Sequence, residues 1–511
     1  MGIKLVLLIL FFAVMIGVGL YARKHTTSVD GFVLGGRSVG PWLTAFAYGT
    51  SYFSAVVFVG YAGQFGWKYG IASTWIGIGN AVIGSLLAWV VLGRRTRVMS
   101  QHLKSKTMPD FFGERYQSKS LKIVSSVIVF IFLVPYTASI YNGLSRLFGM
   151  AFDIPYAVCV IVMAVVTGLY VIIGGYMATA WNDFIQGIIM LFGIVAVIAA
   201  VLSGQGGFME AVRKMSELSS DVPATLGQQG AFTSFFGPDP LNLLGVVILT
   251  SLGTWGLPQM IHKFYAIKDE KAVETGTIIS TLFAVVISGG CYFLGGFGRL
   301  FDGPAIKDAT TGAVVFDSII PHMLSTLPDI LIGIVVVLVL SASMSTLSSL
   351  VLTSSSTLTL DFLKGNLIKK MSEKKQVVTM QILIVFFIAV SVVIALDPPT
   401  FIAQLMGISW GALAGAFLAP FLYGLYWKGV TKASVWASFA AGVGITVSNM
   451  FLHYIESPIN AGAIAMIAGL IIVPVVSLVT PKMPKEKLEE LFGCYEEKVL
   501  ISKKHSLKEH E

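Results

Sequence analysis

Ser341-Ala342-Ser343-Met344-Ser345-Thr346-Leu347-Ser348-Ser349 follows a wholly apolar run at 332–340. That order places the stretch on a helix deep in a membrane. Five of its nine side chains are serine and one is threonine. Residues three and four apart share a helix face, so Ser345, Ser348 and Ser349 point the same way, with Ala342 one turn earlier. Hydroxyl oxygens at that depth can replace water around a hard cation, which prefers oxygen ligands. Small residues and hydroxyls also let helices pack closely in lipid, and for any single residue that reading suffices. The cluster as a whole, set opposite the interrupted helices described below, reads as an ion site.

The surrounding chain has the composition of an integral membrane protein. Of 511 residues, 55% are hydrophobic and 12% charged, and the mean hydropathy is +0.81. Roughly 20 apolar residues span a bilayer as a helix. About thirteen such stretches are present: 3–22, 40–66, 71–93, 120–150, 155–176, 182–203, 241–264, 273–298, 327–356, 377–396, 400–427, 433–453 and 460–480. The first has Lys4 as its only preceding charge and no convincing cleavage site, so it reads as a retained span rather than a signal peptide. The formal charge is +8, with no basic nucleic-acid motif. Cys159, Cys291 and Cys494 are scattered, a spacing that suggests neither a disulfide framework nor a metal site.

Placement of the basic residues sets orientation. Loop 23–39 holds Arg23, Lys24 and Arg37; loop 94–119 holds Arg94, Arg95, Arg97, Lys104, Lys106, Arg115 and Lys119; loop 357–376 holds Lys364, Lys369, Lys370, Lys374 and Lys375. These share one side, which the positive-inside rule makes cytoplasmic. Loop 204–240 carries only Arg213 and Lys214 and lies outside. Phe208, Val212 and Met215 recur there at helical spacing, as in a short interfacial or ordinary amphipathic helix. The N-terminus is then outside, and 481–511 is a solvated cytoplasmic tail, helical in part.

Two spans carry breaks. The second contains Tyr48-Gly49-Thr50-Ser51-Tyr52-Phe53-Ser54, then Gly60 and Gly63; the seventh contains Gly253-Thr254-Trp255-Gly256-Leu257-Pro258. Glycine weakens a helix interior and proline removes a backbone donor. Freed carbonyls in lipid persist only where protein, water or an ion satisfies them. Interrupted helices at matching places in two halves point to a binding site between inverted repeats. Here they fall five spans apart, and an odd offset inverts the second copy.

Gly174-Gly175-Tyr176-Met177-Ala178-Thr179-Ala180-Trp181-Asn182-Asp183-Phe184-Ile185-Gln186-Gly187 joins spans five and six. Asp183 fits two readings: an intramembrane acid with a functional role, or a cap where the helix dipole favours an anion.

These segments together resemble the sodium:solute symporter family over about residues 1–480. Gly35-Gly36-Arg37-Ser38-Val39-Gly40-Pro41 is similar to that family's lead into its second helix. The Gly-Gly to Trp-Asn-Asp-Phe-Ile-Gln stretch resembles its link between helices five and six. Met344-Ser345-Thr346-Leu347 resembles its ninth helix. Trp410-Gly411-Ala412-Leu413-Ala414-Gly415-Ala416-Phe417, with Pro420 and Tyr426-Trp427-Lys428, resembles its eleventh. The resemblance implies an all-α integral membrane protein with a LeuT-type core of five plus five inverted helices. One transmembrane domain then covers 1–480, with core repeats at about 40–203 and 241–427, and spans one, twelve and thirteen are peripheral. It also implies sodium-driven uptake by alternating access across the cell membrane, with no covalent chemistry and no organic cofactor; a monomer suffices.

Carried over residue by residue, the resemblance implies a sodium site made by the carbonyls of Thr50, Phe53 and Ala342 and the hydroxyls of Ser345 and Thr346. Some members hold a second sodium on residues matching Asp183, Ser345, Ser348 and Ser349, all present here. The competing role for Asp183 is a way-station on the inward release path. The substrate pocket would lie at mid-membrane, with Tyr52, Ser54 and Val57 on span two, Tyr136 on span four, and Thr254, Trp255 and Pro258 on span seven. Trp255 would close over a solute or serve as a packing aromatic. His262, beside Lys263 at the inner end of span seven, reads as interfacial.

Departures bear on the solute. Proline carriers of the family have an acidic residue where this chain has Tyr52, and sugar carriers have amides around Tyr52 and Val57. Thr50-Ser51-Tyr52-Phe53-Ser54, Gly256-Leu257-Pro258 and Tyr265-Ala266-Ile267-Lys268-Asp269-Glu270-Lys271-Ala272-Val273 resemble the pantothenate and monocarboxylate branch. The expected cargo is a small organic solute: a carboxylate such as pantothenate or a monocarboxylate, or an amino acid such as proline. Two rivals share the fold: a proton-coupled carrier, and a transporter-like sensor, against which the short segment after Pro481 counts. No Gly-x-x-x-x-Gly-Lys-Ser/Thr motif is present, so direct drive by ATP is not expected.

Overall fold

The computed structural model describes residues 2–22, 28–152, 154–364, 366–368, 370–397 and 401–501. Arg23, Lys24, Lys369 and the last ten residues of the tail lie outside the described residues. Among the described residues, ten helices are long and apolar enough to cross a membrane, or eleven when the bent pair Pro240–Trp255 and Pro258–Ala266 forms one span. The count differs from the expected thirteen because neighbouring spans run together. Val56–His102 passes as one helix although Gly70 has φ +61°, and Tyr156–Gly204 continues through Gly175 at φ +53° and ψ −150°. Cut at these two glycines, the thirteen apolar stretches each fall on helix.

Gly175 shows why a glycine is needed at such a turn. Its backbone conformation is one that side chains rarely adopt, and a Cβ there would meet the Phe32 ring at 2.9 Å and the Phe32 carbonyl at 3.0 Å. The close contact lets the short helix Val29–Leu34 lie against the joint between spans five and six.

Burial varies widely among the spans, and span ten (Glu373–Leu396), in the expected core, is no more buried than span twelve (Lys432–Leu452), both at 33%. Only 17% of the apolar window of Gly2–Ala22 is buried, against 78% for Asp329–Leu363 (span nine) and 94% for Ile402–Tyr426 (span eleven). Among membrane helices the driving forces are packing and hydrogen bonding rather than removal from water. Span nine accordingly buries every residue from Val335 to Thr357 except Val337, including all its serines and threonines.

The segment before span two is a clamp. Arg37 donates to the Ser100 hydroxyl (3.1 Å) and to the carbonyls of Tyr265 (3.2 Å) and Ser105 (2.6 Å). The Val39 amide donates to the Ala266 carbonyl, and the Val39 carbonyl accepts from the Lys268 amide. One arginine thus ties the start of span two to the ends of spans three and seven, and its planar fork suits several carbonyls at once.

The tail is not freely solvated as expected. Lys485–Ile501 is a helix whose Leu488, Leu491, Phe492 and Tyr495 are buried. Arg115 and Arg95 lie over the rings of Phe492 and Tyr495 at 4.9 and 4.5 Å, a cation–π arrangement. The short helix expected in loop 204–240 forms, as Phe208–Ser216, with Ala211 and Met215 packed on Phe232 and Phe297.

Candidate functional site

Both expected interruptions are present. The first half of span two, Pro41–Tyr52, ends at Phe53, which is extended (φ −109°, ψ 93°), and winding resumes at Val56. In span seven, Leu257 is extended (φ −86°, ψ 120°) and Pro258 opens the second half, at a bend of 40°. Each break thus consists of an extended residue at the middle of a buried span, as inverted repeats require. The break in span two lies beyond Gly49, whose missing side chain instead admits the Phe283 ring.

Span nine crosses the first break. The Thr346 hydroxyl is 3.2 Å from the Thr50 carbonyl, 3.4 Å from that of Ser51 and 3.1 Å from that of Ala342. Ser345 donates to the Thr50 hydroxyl at 2.7 Å, which in turn donates to the Phe46 carbonyl. Thr50, Ala342, Ser345 and Thr346 therefore meet at one point, all buried. The Thr50 carbonyl at the break and the Ala342 carbonyl of span nine both face the Thr346 hydroxyl in a buried setting. Such a set suits a small hard cation. Phe53 stands at the same break, and with Ser54 and Ala342 it lines a cavity of about 10 Å³.

A second polar centre lies beside the first. Asp183, on Val171–Gly204 (span six), is fully buried, and neither of its oxygens has a hydrogen-bond partner among the described residues. Its Oδ2 is 3.8 Å from Nζ of Lys263, which is 2% exposed. Lys263 donates to the Ser349 hydroxyl at 2.9 Å, and Ser349 pairs with the Ser51 hydroxyl at 2.8 Å. Ser348 donates its hydroxyl hydrogen to the Ser345 carbonyl of its own helix, which leaves the lone pairs of its oxygen free. His262, expected at the interface, is buried and packs edge-on against Tyr176 at 5.6 Å. Both residues are buried where spans six and nine pack on the second half of span seven.

The expected substrate-facing residues divide. Tyr52 stacks on Phe53 (4.2 Å between centroids), faces Trp410 (6.1 Å) and donates its hydroxyl to the Thr250 carbonyl at 2.5 Å. Tyr136 lies edge-on to Trp410 at 5.9 Å, and its hydroxyl has no partner among the described residues. Thr254 donates to the Gly84 carbonyl at 3.2 Å and the Trp255 indole to the Ile83 carbonyl at 3.0 Å, so both anchor span seven to span three. Ser54 and Val57 are buried at the break, and Ser54 receives the Val56 amide. Pro258 serves as the first residue of the half-helix, where its missing amide hydrogen costs nothing.

Three contributors escaped the sequence reading as site residues: Trp410, Ser51 and Lys263. Trp410 opens the stretch Trp410–Phe417, in which nothing local marks it as a contact of Tyr52 and Tyr136. Lys263 carried the usable signal, a cation in an apolar span.

The model of the sodium:solute symporter family matches residues 32–442. The osmoregulated proline transporter OpuE of Bacillus subtilis is 29% identical over 506 residues, covering 97% of this chain and 98% of that protein. A sodium/proline symporter of Staphylococcus aureus is 30% identical over 501 residues, covering 94% and 93%. Among solved structures, the outward-open, substrate-bound state of a Na+-coupled sialic acid symporter aligns with TM-score 0.74 at 16% identity, covering 94% of this chain and 99% of that one. At that identity the likeness speaks for the fold, which is LeuT-type.

Proposed function

The chain belongs to the sodium:solute symporter family, and from that premise we propose that it imports a small organic carboxylate or amino acid across the cell membrane, driven by sodium. The observation that carries this reading is the Thr346 hydroxyl set against the Thr50 carbonyl at the break of span two. The ion would be held there by the carbonyls of Thr50, Phe53 and Ala342 and the hydroxyls of Ser345 and Thr346. One transmembrane domain, with repeats at about 40–203 and 241–427, would rock around that point, with the N-terminus outside and the tail in the cytoplasm.

Coupling requires no contact between ion and solute. If sodium binds the outward-open state more tightly, it raises the population able to accept solute, and by linkage the solute tightens sodium. The solute would lie among Tyr52, Ser54, Val57, Tyr136, Thr254, Trp255 and Pro258. A carboxylate there would face the N-terminus of the half-helix Pro258–Ala266, where backbone donors favour an anion. The relatives' names make L-proline the first cargo to test, with pantothenate and lactate beside it.

The test is uptake into proteoliposomes. Each labelled solute is offered under an inward sodium gradient, then with choline in place of external sodium at fixed pH. One of the three is expected to accumulate, and only with sodium. Accumulation indifferent to choline would assign the drive to protons. A protein that binds a solute without moving it would be a sensor.

A further inference from the structure

We propose that the Lys263 ammonium is a resident cation, occupying the place where a second sodium would otherwise bind, so that this carrier takes up one sodium ion per cycle. The inference rests on the sodium-coupled reading of the Thr50–Thr346 crossing and concerns the neighbouring centre.

The four residues that would surround a second sodium are Asp183, Ser345, Ser348 and Ser349. In the structure that shell is answered from within the chain. The Lys263 ammonium donates to Ser349 at 2.9 Å and stands 3.8 Å from the Asp183 carboxylate. The face of the Tyr176 ring lies 5.4 Å from the same nitrogen, a position that favours a cation. Anion, hydroxyl and aromatic face thus converge on one buried nitrogen. An ammonium has three donors and no acceptor, so this surrounding of acceptors suits it.

The hydroxyl hydrogens are already placed, which leaves only oxygen lone pairs on this shell, and those of Ser349 are turned to the ammonium. Ser348 is turned onto the Ser345 carbonyl, Ser345 donates to Thr50, and Ser349 already joins both Lys263 and Ser51. A sodium using Asp183 and Ser349 would share both ligands with the ammonium. Two cations at that separation, out of reach of water, repel far more strongly than in solvent. Removing Lys263 without replacing its charge would leave the Asp183 carboxylate buried and uncompensated, and a sodium ion is the small cation at hand to answer it. Lys263 also joins four spans at once. It sits on the inner half of span seven, faces Asp183 on span six, bonds Ser349 on span nine, and through Ser349 reaches Ser51 on span two. A fixed charge there performs the tethering that a transient ion would otherwise have to re-establish in each cycle.

The test is equilibrium binding of radioactive sodium to the purified full-length carrier in detergent, without solute. Wild-type protein is expected to saturate at one ion per carrier, and Asp183→Asn and Lys263→Arg to stay at one. Lys263→Met is expected to saturate at two, and Lys263→Met combined with Asp183→Asn to return to one. A wild-type carrier that binds two ions overturns the proposal whatever the variants do. So does a monodisperse Lys263→Met that stays at one. If Lys263→Met fails to fold, a fall from two ions to one on Asp183→Asn would still overturn it. Wild-type protein that binds no sodium sinks the sodium-coupled reading itself, an outcome distinct from a count of two.

Discussion

The Thr346 hydroxyl and the Thr50 carbonyl, 296 residues apart in the chain, are 3.2 Å apart in the fold. Span nine therefore meets span two where its backbone loosens, and the two halves of the molecule share one polar point. Thr346→Ala removes one oxygen from that point and keeps the helix. The expected outcome is a sodium concentration for half-maximal uptake raised about tenfold, the equivalent of roughly 1.4 kcal/mol, with normal membrane insertion. Thr346→Ser restores the hydroxyl and most of the affinity. An unchanged sodium dependence in Thr346→Ala would remove the crossing from the ion site.

Tyr52 ties one broken helix to the other through the Thr250 carbonyl. Tyr52→Phe leaves that buried carbonyl without its donor, a loss of about 1–3 kcal/mol. The stacked contact with Phe53 survives. A melting temperature several degrees lower in detergent is expected, and an unaltered one would show that the hydroxyl does not hold the halves together.

Asp317 lies in the loop before span nine and borders a cavity of about 580 Å³ shared with Arg146 and His322. Burial pushes its carboxyl up to about 6, opposed by the Arg146 guanidinium and by the Ile402 amide it accepts. The folded protein thus keeps a proton that the unfolded chain releases near the ordinary carboxyl value of about 3.9. Its contribution is fully present below about pH 4 and is lost as pH rises to about 6, by on the order of 3 kcal/mol. Melting curves of wild type and Asp317→Asn across that window check this. The wild type is expected to lose stability relative to the variant as pH rises, and parallel curves would contradict it.

Gly175 holds the joint between spans five and six at φ +53° against Phe32. Gly175→Ala adds strain of about 1–3 kcal/mol beside the helix that carries Asp183. Lower yield and a lower melting temperature are expected. Wild-type behaviour would mean that the turn relaxes freely.

Much of this arrangement is legible in the sequence. Gly256-Leu257-Pro258 announced the break in span seven, since proline at a helix start is a local effect. The stretch Tyr48–Ser54 marks where span two breaks, and within it the unwound residue is Phe53, while Gly49 serves side-chain packing. The tail read as solvated from its charges. Its Leu488, Leu491, Phe492 and Tyr495 nonetheless form one helical face, and the arginines that cover them come from the loop after span three.

Apolar length, hydroxyl clustering and Gly/Pro punctuation are properties of neighbouring residues, and they determined the helices, their two interruptions and the kind of ligand the serines of span nine can offer. Whether a residue at a helix end meets water or another helix depends on segments far away in the chain. Only the folded arrangement decided that Lys263 is buried against Asp183 and Ser349 rather than exposed at the interface, because spans six and nine, distant in sequence, close over it and exclude the solvent that would otherwise have taken its charge.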